Sequence, residues 1–205
     1  MNLSEKLMAQ GGKPSGLLGR LIGNLMNLSH KSIYRWGLGG ISLGSSSAAL
    51  DIGCGGGKVV KMLATKMPGG KVYGIDHSLE MVNLSKRVNK SFIESGRVEI
   101  NHGSVSSLPC TDDMFDIVTV FETIQFWPNL NEDLREVKRV LKPLGQLLVV
   151  NRYPDLEGQN SSWAEVLQIH SSEEYRERLS DASYVDISID DSSKPGWILV
   201  SARKP

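Results

Sequence analysis

The sequence predicts an α/β fold: a seven-stranded, mostly parallel sheet with helices on both faces, an antiparallel last strand and an N-terminal helical cap. Three observations predict it. From Ala48 onward, apolar runs of strand length alternate with segments of helical period. That alternation is the pattern of strand–helix–strand units, which pair in parallel through right-handed crossovers. A glycine cluster, Gly53, Gly55, Gly56 and Gly57, follows the first apolar run directly. Finally, only the seven residues Asp190 to Gly196 separate the last two runs. A parallel crossover needs about a dozen or more residues, so the last strand pairs antiparallel with its predecessor.

The elements follow in order. "AALDIG" is a short buried strand, and "KVVKMLATKM" a helix with Val59, Val60, Leu63 and Met67 on one face, stopped by Pro68-Gly69-Gly70. "KVYGID" is the second strand. "SLEMVNLSKRVNKSFIESG" is one helix, with Ser78 as N-cap and Glu80 in its first turn. "RVEINHG" is the third strand, and "FDIVTVFE" the fourth, apolar enough to be buried on both faces. "NEDLREVKRVLKPLG" is a helix with Leu134, Val137, Val140 and Leu141 inward, and "GQLLVVN" is the fifth strand. Ser171-x-x-Glu174 is a capping box that opens the helix in "SSEEYRERLSDAS". "YVDISI" and "WILVSAR" complete the strands.

Residues 1–43 differ from the rest. Leu17, Leu18, Leu21, Ile22, Leu25 and Met26 make one apolar stripe after Pro14, interrupted by Gly19 and Gly23. The segment reads as an amphipathic helical cap or lid, with residues 44–205 as the ligand-binding domain.

Composition bounds the function. The chain has 205 residues, with 23 Lys+Arg balanced by 23 Asp+Glu. A dedicated nucleic-acid binder usually carries a basic excess, so no nucleic-acid partner is expected. Two cysteines, Cys54 and Cys110, lack metal-ligand spacing; no metal is expected, and a cytoplasmic location is. The N-terminal text lacks the apolar core of a signal peptide, and no apolar run reaches the ~18 residues of a membrane span. A monomer or homodimer is expected.

The glycine loop, "ALDIGCGGGK", carries the chemistry. A P-loop needs G-x-x-x-x-G-K-[ST]. Here Gly57-Lys58 is followed by Val59, and Ile52 stands where the first glycine belongs. A dinucleotide fingerprint needs G-x-G-x-x-G. Gly53-x-Gly55 begins it, but Lys58 occupies the third glycine position. What fits is D-x-G-x-G-x-G, filled by Asp51, Gly53, Gly55 and Gly57. Asp76 ends the second strand, where a carboxylate can accept two hydrogen bonds from a ribose diol. "DHSLEMV" and "NHGSVSSLP" follow at the ends of the second and third strands.

As a set these motifs resemble those of the class I S-adenosylmethionine (SAM)-dependent methyltransferases, a Rossmann-like fold. The resemblance covers about residues 45–205, and its nearest group is the small-molecule methyltransferases related to those of quinone biosynthesis. It implies SAM as cofactor and S-adenosylhomocysteine (SAH) as product. It also implies that Gly53, Cys54 and Gly55 let the backbone approach the amino-acid part of SAM, with Asp51 helping to hold the ammonium. Asp76 takes the ribose, His77 and Met81 flank the adenine, and Gly103, Ser104 and Val105 edge it. Ser104 stands where the family carries an aspartate, so this hydrogen bond lacks charge. Phe121 ends the fourth strand, beside the transferred methyl.

Such a transfer is an in-line displacement, and orientation alone contributes roughly 7–11 kcal/mol. A protein base is needed only if the acceptor must lose a proton. The candidates are Glu122, Tyr153 and His30, each also readable as a structural residue. Tyr34, Gln125, Trp127 and Arg152 are the candidates for a small-molecule acceptor pocket. Two other classes stay open: a SAM/SAH-binding module without catalysis, and an NAD-linked oxidoreductase that uses Asp76 on a ribose.

Overall fold

The computed structural model describes residues 30–41, 43–152 and 170–205. The helical stripe between Leu17 and Met26, and Tyr153, lie outside these residues. Two compact units divide the chain, Met1–Ser104 and Val105–Pro205. Its strands form a seven-stranded mixed sheet, flanked by helices.

The first unit opens with helix α1 (Lys31–Gly37), which buries Ile33 and Tyr34. Strands β1 (Ala48–Ile52), β2 (Lys71–Asp76) and β3 (Val98–His102) run in parallel, in the order β3-β2-β1. Helix α2 (Lys58–Lys66) packs on β1 and β2, and helix α3 (Leu79–Val88) on β2 and β3. Val59, Val60, Leu63 and Met67 are all buried, as the helical period requires. Ser78 caps α3, its hydroxyl accepting the Met81 N–H at 3.4 Å.

The single helix predicted over residues 78–96 is two. Helix α3 ends at Val88, Asn89 stands between, and the short helix α4 spans Lys90–Glu94. The break leaves α3 with a fully buried polar residue at its end, Asn89.

In the second unit the strand order is β4-β5-β7-β6. Strand β4 (Phe115–Phe121) pairs in parallel with β5 (Leu141–Arg152). Strand β7 (Trp197–Arg203) lies between β5 and β6 (Val185–Asp190) and is antiparallel to both. The antiparallel last strand predicted from the short connection is therefore present. Helix α5 (Leu130–Val140) packs on β5 and on helix α6 (Ser172–Asp181), which packs on β6. Both bonds of the capping box at Ser171 and Glu174 form.

One boundary differs from expectation. The helix predicted over residues 131–145 stops at Val140, and Leu141 begins β5 opposite Phe115. Pro143 drives Lys142, the residue before it, from helical to extended backbone, and the pairing with Phe115 puts Leu141 in the strand as well. The proline is accommodated because the pairing jumps from Phe115↔Leu141 to Ile117↔Gln146, so Lys142 to Gly145 leave the ladder.

Candidate functional site

The first unit builds a tight loop where β1 ends. Gly53, Gly55 and Gly57 have φ of 68°, 48° and 77°, a left-handed backbone at every second residue. Side chains with a Cβ resist this conformation, which is why the text alternates glycine. The Gly53 and Cys54 N–H groups both donate to the Ile75 carbonyl, at 2.8 and 3.0 Å, tying the loop to β2. The glycines serve different ends. A Cβ on Gly57 would sit 2.3 Å from Ser85 Oγ and 2.5 Å from Asn89 Nδ2, so Gly57 is a packing glycine against α3. A Cβ on Gly55 would meet only the Gly53 carbonyl oxygen, at 4.0 Å. The backbone at Gly55 therefore has one open side on which a ligand can approach.

Asp76 anchors the loop from the end of β2. It is buried, and its Oδ2 accepts the Gly55 N–H while its Oδ1 accepts the Ser78 N–H, both at 2.8 Å. Burial raises its carboxyl above the usual range, and these two N–H groups partly offset that. An ionised carboxylate offers about four acceptor sites, so two lone pairs remain for a diol. Its main-chain carbonyl accepts the Gly103 N–H at 3.1 Å, which fixes the start of the "GSV" segment. Asp51, at the end of β1, is buried. Burial, with Asp76 and Asp51 nearby, pushes the Cys54 thiol well up. The two residues expected to flank an adenine differ in exposure: the His77 side chain is 47% exposed, whereas Met81 is buried in the first turn of α3. His102 reaches the His77 carbonyl through Nε2 at 3.0 Å. Ser104 is exposed.

In the second unit, polar residues gather at the carboxyl ends of β4 and β5. Glu122 follows β4 with φ of 56°, a strained value for a residue with a side chain. Its N–H donates to the Val150 carbonyl at 2.9 Å. Arg152 grips its carboxylate with two bonds, Nε to Oε1 and Nη2 to Oε2, the latter at 3.0 Å. Gln125 Nε2 donates to the Glu122 carbonyl at 2.9 Å, and Asn151 Nδ2 donates to Gln125 Oε1 at 3.0 Å. Trp127 and Phe121 are buried, and so is Val105. A fork holds the "LPCTD" loop in the same unit. Arg139 bonds Glu136, Asp112 and the carbonyls of Cys110 and Leu108, and Glu136 accepts the Leu108 N–H at 2.8 Å.

The glycines, Cys54, Asp51, Asp76, His77, Gly103 and Ser104 thus stand at the carboxyl ends of the first unit's strands, and Met81 one turn into α3. Glu122, Gln125 and Arg152 form one network in the second unit. Of the remaining candidates, His30 and Tyr34 meet edge-on, ring centroids 6.0 Å apart. The sequence reading missed Asn89, Ser85 and Asn151. No local pattern marks them, because each acts on a residue 26 to 32 positions away or on its own helix.

Known proteins resemble this chain in sequence and in fold. Residues 50–149 match the family model described as "Methyltransferase domain". A demethylmenaquinone methyltransferase of Lactobacillus johnsonii is 34% identical over 100 residues, 48% of this chain and 41% of that protein. A ubiquinone/menaquinone biosynthesis C-methyltransferase of Geotalea daltonii is 30% identical over 121 residues, 58% of this chain and 52% of that one. The chain spans about half the length, or less, of these curated relatives. Among solved structures, a SAM-dependent methyltransferase from Aquifex aeolicus superposes with a TM-score of 0.74 at 22% identity, covering 91% of this chain and 98% of that one. At that identity the likeness is one of fold.

Proposed function

We infer, from residues 50–149 belonging to the class I SAM-dependent methyltransferases, that this chain is an enzyme moving the methyl group of SAM to a small-molecule acceptor. The observation that carries the reading is the left-handed loop from Gly53 to Gly57, open beside Gly55 and tied to the buried carboxylate of Asp76. SAM supplies a methyl on a sulfonium, so the acceptor's electron pair forms the new bond as the thioether leaves, yielding SAH. The chain's part is to bind, orient and exclude water.

Gly53, Cys54 and Gly55 line the amino-acid part of SAM, and Asp51 its ammonium. Asp76 offers its spare lone pairs to the ribose. His77, Met81, Gly103, Ser104 and Val105 surround the adenine, and Phe121 borders the methyl. On the acceptor side, Tyr34, Gln125, Trp127 and Arg152 are the proposed contacts. Glu122 and Arg152 neutralise each other, which supports an acceptor without a free carboxylate over one that needs a bare guanidinium. It also makes Glu122 a poor base, since both of its oxygens are engaged. His30 and Tyr153 remain the base candidates, for an acceptor that must lose a proton. A role as cap is the proposed one for residues 1–43, most of which lie outside the described residues. Two free cysteines fit a reducing compartment, so a cytoplasmic location belongs to the proposal. Among the described residues no helix is long and apolar enough to cross a membrane.

The test is transfer of radiolabelled methyl from SAM into a cell extract, separated into small-molecule, protein and nucleic-acid fractions. Label among small molecules is the expected result. Label in protein or nucleic acid would overturn the acceptor class. Absence of label, with SAH still binding in a calorimeter, would leave a binding module. NAD binding without SAH binding would replace the reading altogether.

A further inference from the structure

We propose that Asn89 is a positioning residue for the cofactor loop: its buried side-chain amide holds the Gly57 peptide and so sets the loop's shape from below. This rests on the SAM-binding reading above. Asn89 lies at the break between α3 and α4 and is fully buried. Its side chain does not cap the following helix. The backbone at the break is satisfied without it, since the Asn89 N–H reaches the Ser85 carbonyl and the Asn89 carbonyl accepts the Ile93 N–H, both at 3.0 Å. The amide instead reaches back 32 residues. Nδ2 donates to the Gly57 carbonyl at 3.0 Å and to the Ser85 carbonyl at 3.0 Å.

Three features make this contact a fitted one. Both partners are carbonyls, so only the NH2 end of the amide can face them, and an isosteric carboxylate would set oxygen against oxygen. The Gly57 carbonyl also accepts the Lys61 N–H at 3.1 Å, the first bond of α2, so Asn89 orients the peptide from which that helix starts. The fit is reciprocal: any Cβ on Gly57 would collide with Ser85 and Asn89. Cys54 Sγ, inside the loop, lies 3.9 Å from Ser85 Oγ on the same helix. The loop is thus held at two points two residues apart, by Asp76 at the Gly55 N–H and by Asn89 at the Gly57 carbonyl. Between them the backbone has little freedom, which lowers the ordering cost of a ligand that lies on Gly55.

The experiment compares wild type with Asn89→Ala, Asn89→Asp and Asn89→Ser. Hydrogen exchange on the ligand-free proteins reads loop order, and calorimetry reads SAH affinity. Loss of a buried hydrogen bond predicts an SAH Kd about tenfold weaker in Asn89→Ala. The loss should be larger in Asn89→Asp and smaller in Asn89→Ser, whose hydroxyl can still donate. Exchange should quicken at the amides of Gly57 and Lys61, with the β4 and β5 amides unchanged. Ser171→Ala, in the second unit, is the control: lower stability with an unchanged Kd. Should Asn89→Ala lose stability like Ser171→Ala, with loop exchange and Kd both within twofold of wild type, Asn89 is merely a packing residue and the proposal fails. Should wild type not bind SAH, the functional reading fails, and the exchange data alone still decide whether Asn89 orders the loop.

Discussion

A carboxylate buried at a strand end must be solvated by the protein itself, and Asp76 is solvated by two backbone N–H groups, those of Gly55 and Ser78. Replacing it by Asn puts an NH2 group against one of those donors. On the proposed function the amide also loses a charged acceptor for the ribose diol, worth about 1.5–3 kcal/mol, so Asp76→Asn should weaken SAH binding roughly 10- to 150-fold, readable by calorimetry. The pH dependence follows from the direction of its shift. Burial raises the native carboxyl above its ordinary 3.8. Between 3.8 and that raised value the folded state holds a proton that the unfolded state has released. The contribution of Asp76 to stability therefore falls as pH rises through this window. Denaturation midpoints should show the wild-type advantage over Asp76→Asn shrinking with rising pH across it. SAH affinity should run the opposite way, falling as acid protonates Asp76, at a pH above the usual carboxylate range. Cys54 gives a second test. Burial and two nearby carboxylates keep its thiol protonated well beyond neutral pH, and the thiolate is the reactive form. Iodoacetamide at pH 8 should leave Cys54 unmodified in the native protein and label it after unfolding, as mapped by mass spectrometry.

At the scale of elements, what the sequence discloses is local. Ser78 and Ser171 announce their helices because a cap and its N–H partner lie three residues apart. The alternation of glycines announces the loop, because each needs positive φ for itself. The break at Asn89 and the early start of β5 were not legible. Asn89 answers to Gly57, 32 residues away. Leu141 satisfies a helical period and a strand pairing equally well, and only the register with Phe115 decides between them. The same holds for Glu122 and Arg152, legible as two separate candidates and joined 30 residues apart. The fork at Arg139 is another long-range device, in which one planar side chain from α5 spans the Asp112 carboxylate and two carbonyls of the "LPCTD" loop together with Glu136 of its own helix. Lysine has a single point of charge and cannot span them. Arg139→Lys should therefore lower the unfolding free energy by about 1–2 kcal/mol, as urea denaturation would show, a modest figure because the side chain is partly exposed.

For the molecule as a whole, the functional reading makes a thermodynamic demand that no single residue carries. A ligand that binds only the folded chain stabilises it by RT ln(1 + [L]/Kd), about 2.7 kcal/mol at a hundredfold excess over Kd. For a chain of 205 residues, each kcal/mol moves the midpoint by about 2–4 °C. SAH at that excess should thus raise Tm by roughly 5–10 °C. NAD at the same concentration should leave it unmoved, because Lys58 occupies the place where a dinucleotide loop keeps its third glycine. The balance of 23 basic and 23 acidic residues sharpens the test. On the proposed function the zwitterionic ligand is held by fixed local groups, the buried Asp51 and Asp76, rather than by net charge. The SAH-induced shift should therefore persist between 50 and 500 mM salt, where exposed charges are screened and buried ones much less. A shift that vanished at high salt would mean that the ligand is held by exposed charge rather than by the loop. A shift given equally by NAD would mean that the loop reads a ribose and nothing more of SAM.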